Sequence, residues 1–284
     1  MNLISNVGCI SIIPRISCQT YNCANADYFR PHMSSNLPAS VTVVTVVYNG
    51  AAVVERTMRS VSEQSWPHVH HLVIDGASKD DTLEIVHRFA RPQLKVVSEK
   101  DKGIYDAMNK GISQADGDYI VFMNAGDEFY SNDVLEKLLS RNDHADFYYG
   151  NTMVVDDHGK ELGDRRLHPP TNLSWKSLKF GMCVSHQSIL VKRKMAVDYD
   201  LKFKISADID WTIRVLKNAK TIVNSEMYVS KFLRGGVSSS RRREGLKERF
   251  QIMIKHYGLF STIVNHAYIT FRFIVHLFTK RNLT

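Results

Sequence analysis

Between Val41 and Asp127 the chain repeats one pattern four times: a short apolar run closes in polar residues, which include carboxylates in three of the four. VTVVTVV is followed by Tyr48-Asn49-Gly50, HLVID ends on Asp75, LKVV leads into Ser98-Glu99-Lys100-Asp101, and YIVFM leads into Asn124-Ala125-Gly126-Asp127. Carboxylates gathered at one edge repel one another, so the space between them calls for a cation or for a ligand rich in hydrogen-bond donors. A nucleotide accompanied by a divalent metal meets both demands.

The four runs are separated by helix-like segments, which implies right-handed βαβ crossovers and an α/β fold with a mostly parallel central sheet. Near-continuous Val/Ile runs agree with strands covered on both faces. Ligands of such Rossmann-like sheets bind beyond the carboxyl ends of the strands, where the strand order reverses. The strand-end acids therefore converge on one crevice.

Taken singly, these residues divide. Asp75 closes its strand, where we expect it to cap nothing and to accept paired hydrogen bonds from a base or ribose. Ser78 and Asp80 precede a helix through Leu83, Val86 and Phe89, and N-capping alone explains them. Gly103 lets backbone approach a phosphate or sugar, and a helix beginning near Ile104 points its N-terminal amides at the crevice. Asn109 and Gly111 equally suit the C-terminal geometry of that helix. Asn124 to Asp127 is also a good turn sequence. Asp208 falls in the first turn of a helix with an Ile209, Ile213, Leu216 stripe, where the helix dipole favours an acid. Asp210 and Arg214 then stand i,i+4 on its outer face, a structural pair. Arg234-Gly-Gly-Val-Ser238, with Arg241 to Arg243 nearby, reads either as a loop that closes on a diphosphate or as a solvated linker.

Composition sets the class. At 284 residues, with 44% hydrophobic and 23% charged residues, the chain has the make-up of an ordinary globular protein. Cys9, Cys18 and Cys23 lie in an extension without helical or strand periodicity, and Cys183 stands apart, with no CxxC spacing. They read as reduced thiols of a cytosolic protein. Of the formal +8, residues 241–284 carry +7, with nine Lys/Arg against Glu244 and Glu248. A near-neutral body with a cationic tail points to an anionic surface met by the tail. From Phe260 onward, Ile263, Val264, Ala267, Phe271, Ile274, Val275 and Phe278 share one helical face, and Asn265, Arg272 and His276 interrupt a clean span. An amphipathic helix lying in a membrane interface fits this pattern better than a transmembrane one, with docking on protein as the competing role.

Asp75-Gly-Ala-Ser78-Lys-Asp80 resembles the DGS-x-D segment of family 2 glycosyltransferases of the GT-A fold, and Ser98-Glu99-Lys-Asp101-Lys-Gly103-Ile-Tyr105-Asp106-Ala-Met-Asn109-Lys-Gly111 resembles the SE-x-D-x-G-x-YDAMN-x-G run of their bacterial exopolysaccharide, colanic-acid-type members. The likeness spans roughly 41–240. It implies donor nucleotide contacts from Tyr48, Asn49, Asp75, Ser78, Glu99, Asp101, Gly103, Asp106, Asn109 and Asn124. Asn124 to Asp127 takes the place of the metal motif, with Asp127 as ligand to Mg²⁺ or Mn²⁺ and Glu128 next in line. Asp208 takes the place of the general base in an ED motif whose Glu is here Ala207. His186-Gln187-Ser188 resembles the HQS segment on the acceptor side, although a lone His beside a strand equally reads as a hydrogen-bonded structural residue, and Arg234 would reach the diphosphate. Many relatives carry a nucleotide-holding Arg where Met108 stands, which loosens the choice of base.

The expected organisation is a flexible extension over 1–40, a GT-A catalytic domain over 41–240 divided into a nucleotide-sugar half (41–127) and an acceptor half (128–240), and a basic amphipathic helical tail over 241–284. The expected activity is inverting, metal-dependent transfer from a UDP-sugar to a hydroxyl of a saccharide or lipid-linked saccharide in cell-surface polysaccharide synthesis. It would take place in the cytoplasm on the inner membrane face, without nucleic acid as a partner. A sugar nucleotidyltransferase should open with a Gly-rich phosphate loop, which Tyr48-Asn49-Gly50-Ala-Ala lacks. A non-catalytic adaptor explains the basic tail and leaves the strand-end acids unexplained. A processive synthase should carry a QxxRW motif, which is missing.

Overall fold

The computed structural model describes residues 38–141, 144–235 and 241–269. Strands β1 (Val41–Val47), β2 (Val69–Asp75), β3 (Leu94–Ser98) and β4 (Tyr119–Phe122) form on the four apolar runs. Helices α1 (Val54–Ser62), α2 (Thr82–His87) and α3 (Ile104–Gln114) connect them. There follow β5 (Glu128–Phe129), α4 (Val134–Leu139), β6 (Phe147–Val155), β7 (Glu161–Asp164), β8 (Ile189–Lys192), α5 (Ala207–Asn218), β9 (Ile222–Leu233) and α6 (Arg242–Tyr257).

The described strands form one nine-stranded sheet in the order β3-β2-β1-β4-β8-β6-β9-β5, with β7 beside β6. Strands β1 to β4, β6 and β9 share a direction, and β5, β7 and β8 run against them. Because β2 and β4 flank β1 on opposite sides, the order reverses at the end of β1, where Tyr48 begins.

Every residue of β1 is buried. On one face Val44 and Val46 pack with Met108 and Trp211; on the other, Val41 and Val43 pack with Val61 and Leu135. The two threonines in the strand escape the cost of an unpaired buried hydroxyl: Thr45 bonds His71 at 2.9 Å, and Thr42 takes the Gly117 N–H at 2.9 Å.

The outer face expected for Asp210 is in fact an interior. Asp210 is fully buried, and besides Arg214 (2.7 Å) it holds His256 (2.8 Å) and Lys255 (2.9 Å) of α6. From the same helix, Glu248 accepts the backbone N–H groups of Lys204, Ile205 and Ser206 at 2.7, 2.9 and 2.9 Å, satisfying the start of α5. The first part of the 241–284 tail thus belongs to the body. Two acids that α5 and its approach need in order to be buried are paired or supplied across that contact.

Burial pushes the Asp210 carboxyl up, but bonds from His256, Lys255 and Arg214 outweigh it and hold the group well below the usual carboxylate range. A depressed carboxyl stabilises the fold above its unfolded value of about 4, and that stability is lost as pH falls toward the folded value. Asp210→Asn should cost about 2 kcal/mol near neutrality, the scale of a charge-assisted bond. The gap to the parent should narrow below about pH 4. Urea melts at pH 7, 4 and 3 read both effects, and a constant gap would contradict the pairing.

Candidate active site

The loop after β1 is stitched to the loop after β2. Asn49 N–H donates to the Ser78 hydroxyl (2.8 Å), Lys79 N–H to Asn49 Oδ1 (2.9 Å), Gly50 N–H to Thr82 Oγ1 (2.9 Å) and Ala51 N–H to Asp80 Oδ2 (3.0 Å). Asn49 sits at φ 48°, left-handed backbone that Asn tolerates. Ser78 therefore brackets two loops instead of capping α2, whose first residue is preceded by Asp81 with no side-chain cap. Asp75 also departs from expectation: its Oδ2 accepts the Ser78 N–H (3.0 Å) and the Ser98 hydroxyl (2.6 Å), holding its own turn. Its buried Oδ1 has no partner.

After β4, Gly126 at φ 98° turns the chain, and Thr57 Oγ1 takes the Gly126 N–H (2.9 Å) while donating to the Asp127 carbonyl (2.7 Å). Asp127 is thereby held inward, with Oδ1 accepting from Leu233 N–H (3.0 Å) and Oδ2 from Gln187 Nε2 (2.7 Å). Burial lifts its pKa to about 7 against the pull of these two bonds. Asn124 Oδ1 beside it is buried and unpartnered. Glu128, the other acid considered for a metal, is paired with Arg56 at 2.8 Å. Among the described residues no group of three or more His, Cys, Asp or Glu is arranged to hold a metal. The donor set on offer is one carboxylate and one orphaned amide oxygen. Such a set fits Mg²⁺ or Mn²⁺ only where phosphate oxygens complete the shell.

Asp208 lines the same space, in the first turn of α5. The Tyr105 hydroxyl donates to the Ile205 carbonyl (2.9 Å) and reaches Asp208 Oδ1 at 3.3 Å. Burial raises the Asp208 pKa, and the charges of Arg249 and Arg165 counter it. His186 lies over Phe122 (centroids 5.2 Å apart), its Nε2 buried and unpartnered. Burial lowers its pKa to about 4, so it is neutral at pH 7.

These walls enclose a cavity of about 630 Å³. Of the residues singled out in the sequence, Tyr48, Asn49, Asn124, Asp127, His186, Gln187, Asp208 and Arg234 line it, as does Met108. Asp75, Ser78, Glu99, Asp101, Gly103, Asp106 and Asn109 do not. Glu99, Asp101 and Asp106 surround Lys110 Nζ at 3.0, 2.5 and 3.9 Å. Asn109 is taken up by the Tyr199 backbone, donating at 3.0 Å and accepting at 2.6 Å. Gly103 serves its φ of 123° at the start of α3, with open space where a Cβ would stand. Residues 236–240 of the Arg234 loop lie outside the described residues. Sequence reasoning passed over Arg165, Arg249 and Lys204, which share the cavity with Asp208.

The chain is 27% identical over 203 residues to the PGL/p-HBAD biosynthesis glycosyltransferase of Mycobacterium bovis, covering 66% of this chain and 73% of that one. It is 24% identical over 225 residues to the putative teichuronic acid biosynthesis glycosyltransferase TuaG of Bacillus subtilis, covering 76% and 88%. Among solved structures it superposes on S. aureus TarS 1-349 in complex with UDP-GlcNAc with a TM-score of 0.64 at 18% identity, covering 78% of this chain and 68% of that one. It spans 39% of the longer TarS chain. On the mannosyltransferase PcManGT of Pyrobaculum calidifontis, in complex with GDP-Man and Mn²⁺, the TM-score is 0.58 at 19% identity, covering 82% and 70%. The Glycosyl transferase family 2 model matches residues 42–199, from the first strand to the Tyr199 that grips Asn109. With that match over more than half its length and the sheet of the GT-A transferases, the chain belongs to glycosyl transferase family 2.

Proposed function

We propose that the protein transfers a sugar from a nucleoside diphosphate sugar, UDP-linked, to a hydroxyl of a saccharide or lipid-linked saccharide, with inversion at the anomeric carbon. The observation that carries this reading is the placing of two carboxylates on one cavity, the buried Asp127 beside the Asn124 amide oxygen and the half-buried Asp208 beside cations. The unpartnered Asn124 Oδ1 beside Asp127 supplies an acceptor position for the donor's metal.

In the reaction, Asp208 takes the proton of the acceptor hydroxyl while the oxygen attacks C1, and the C1–O bond to the diphosphate breaks with its electron pair leaving on phosphate oxygen. Burial raises the affinity of Asp208 for that proton, which suits a base. A single displacement of this kind inverts configuration. Held at Asp127 and Asn124, Mg²⁺ or Mn²⁺ would neutralise charge growing on the departing diphosphate. Arg234, which lines the cavity, would pair with the same group.

Thermal stabilisation by a panel of UDP-, GDP- and dTDP-sugars, with and without Mn²⁺, tests the reading. A rise in Tm for UDP-sugars that grows with Mn²⁺ is expected. No response to any nucleotide sugar would overturn it.

We further propose attachment to the anionic inner leaflet through the C-terminal region. Residues 259–269 form a helix that buries Thr262 and Asn265 while leaving Leu259, Phe260, Ile263 and Val264 exposed. The apolar side faces outward, as an interfacial helix requires. Among the described residues no helix is long and apolar enough to cross a membrane. Phe271, Ile274, Val275 and Phe278 lie outside the described residues. The full chain should co-sediment with phosphatidylglycerol vesicles at low salt and be partly released by high salt; failure to bind at low salt overturns attachment.

A further inference from the structure

The charges around the cavity fall into two groups. Asp127 is influenced by Arg56 and Glu128, whereas Asp208 is influenced by Arg249 and Arg165. Lys204, just before α5, lines the same cavity. The Asp208 side is therefore cationic, with two guanidinium groups acting on the acid and the Lys204 ammonium on the same cavity lining. Arg165 Nη1 is buried without a partner, although burying a guanidinium unpaired carries a large desolvation cost. Among the described residues neither Arg165 nor Arg249 nor the Lys204 ammonium makes an ion pair.

That arrangement works against the base it surrounds, because guanidinium groups favour the ionised carboxylate and make it less willing to take a proton. The cost is recovered if the ligand itself brings a negative charge. We infer that Arg165, Arg249 and Lys204 form a subsite for an anionic group, a carboxylate or a phosphate, on the acceptor beside its attacked hydroxyl. The inference rests on Asp208 being the base of the proposed transfer and narrows its acceptor to acidic saccharides or sugar phosphates. An anion seated there pairs the orphaned Nη1 and screens the guanidinium charges from Asp208. Acceptor binding and activation of the base are then coupled, and a neutral sugar in the same place accomplishes neither. Each charge-assisted bond of this type contributes about tenfold in affinity.

The test is calorimetric titration of the UDP- and Mn²⁺-loaded full-length protein with methyl glucuronide, glucose 1-phosphate and methyl glucoside. One or both charged probes should bind at least about tenfold more tightly than the neutral one, and which of them does so distinguishes carboxylate from phosphate. Arg249→Gln, on the exposed side of α6, should reduce that preference about tenfold. Arg165→Gln should do the same, with Arg249→Gln deciding if the more enclosed site disturbs folding. Equal binding of charged and neutral probes overturns the inference. So does a loss of UDP affinity in the variants with the preference unchanged, since the arginines would then serve the donor diphosphate in place of an Arg at Met108. Failure of UDP itself to bind the parent overturns the proposed function along with the subsite, whereas normal UDP binding without charge preference removes the subsite alone.

Discussion

Asp208→Asn should lower kcat by about 10²-fold or more while leaving donor affinity within about twofold. The substitution keeps the shape of the side chain, and the Tyr105 hydroxyl, already bonded to the Ile205 carbonyl at 2.9 Å, retains its main partner. What disappears is the capacity to take a proton in a setting where burial has raised the carboxyl's affinity for one. The α5 N-terminus stays in place because Glu248 holds the preceding amides independently. Single-turnover rates with a saturating acidic acceptor separate chemistry from binding, and a defect confined to KM would remove Asp208 from the role of base. Asp210→Asn does not serve as a neutral control for this experiment, since Asp210 anchors α6 through His256 and Lys255.

Asp210 also shows where sequence reading reaches its limit. An Asp and an Arg four residues apart on a helix with an apolar stripe fit a solvated face, and nothing local distinguishes that from burial. The partners that permit burial lie 45 and 46 residues further along, on a helix whose charges read as a membrane-binding tail. Lys110 poses the same problem: Glu99, Asp101 and Asp106 stood as donor contacts because the run from Ser98 to Gly111 resembles a family motif. The cation that collects them sits on the next turn of α3. By contrast, the four strands and the crevice beyond β1 and β4 were legible, because a fully buried parallel strand must be apolar along its whole length and the strand order reverses at β1. Arg165 and Arg249 were illegible for a topological reason. One follows a hairpin strand and the other lies on α6, and only the tertiary fold brings both to Asp208.

Asp127→Asn should abolish measurable transfer, a loss of at least about 10³-fold, without destabilising the protein near neutral pH. The activity loss follows from removing the carboxylate offered to a divalent ion at the end of β4, since Asn124 Oδ1 alone cannot hold it. Stability should hold for the opposite reason: burying this carboxylate is costly, which is why its pKa rises to about 7. Asn keeps an oxygen for the Leu233 N–H, and Gln187 can turn its carboxamide to present Oε1 to the new amide while the Ser185 hydroxyl reverses its role. For a raised carboxyl, the stability it contributes is fully present below the unfolded value of about 4 and is lost as pH rises through about 7. The metal-free parent should therefore lose stability across that window, and Asp127→Asn should lack that part of the decline. At pH 8 Mn²⁺ with UDP should raise the Tm of the parent and leave the variant near its nucleotide-only value. EDTA should bring the parent's activity down to the variant's level. A variant with near-normal turnover, or a parent fully active in EDTA, would show that Asp127 holds the loop and Gln187 in place without holding a metal.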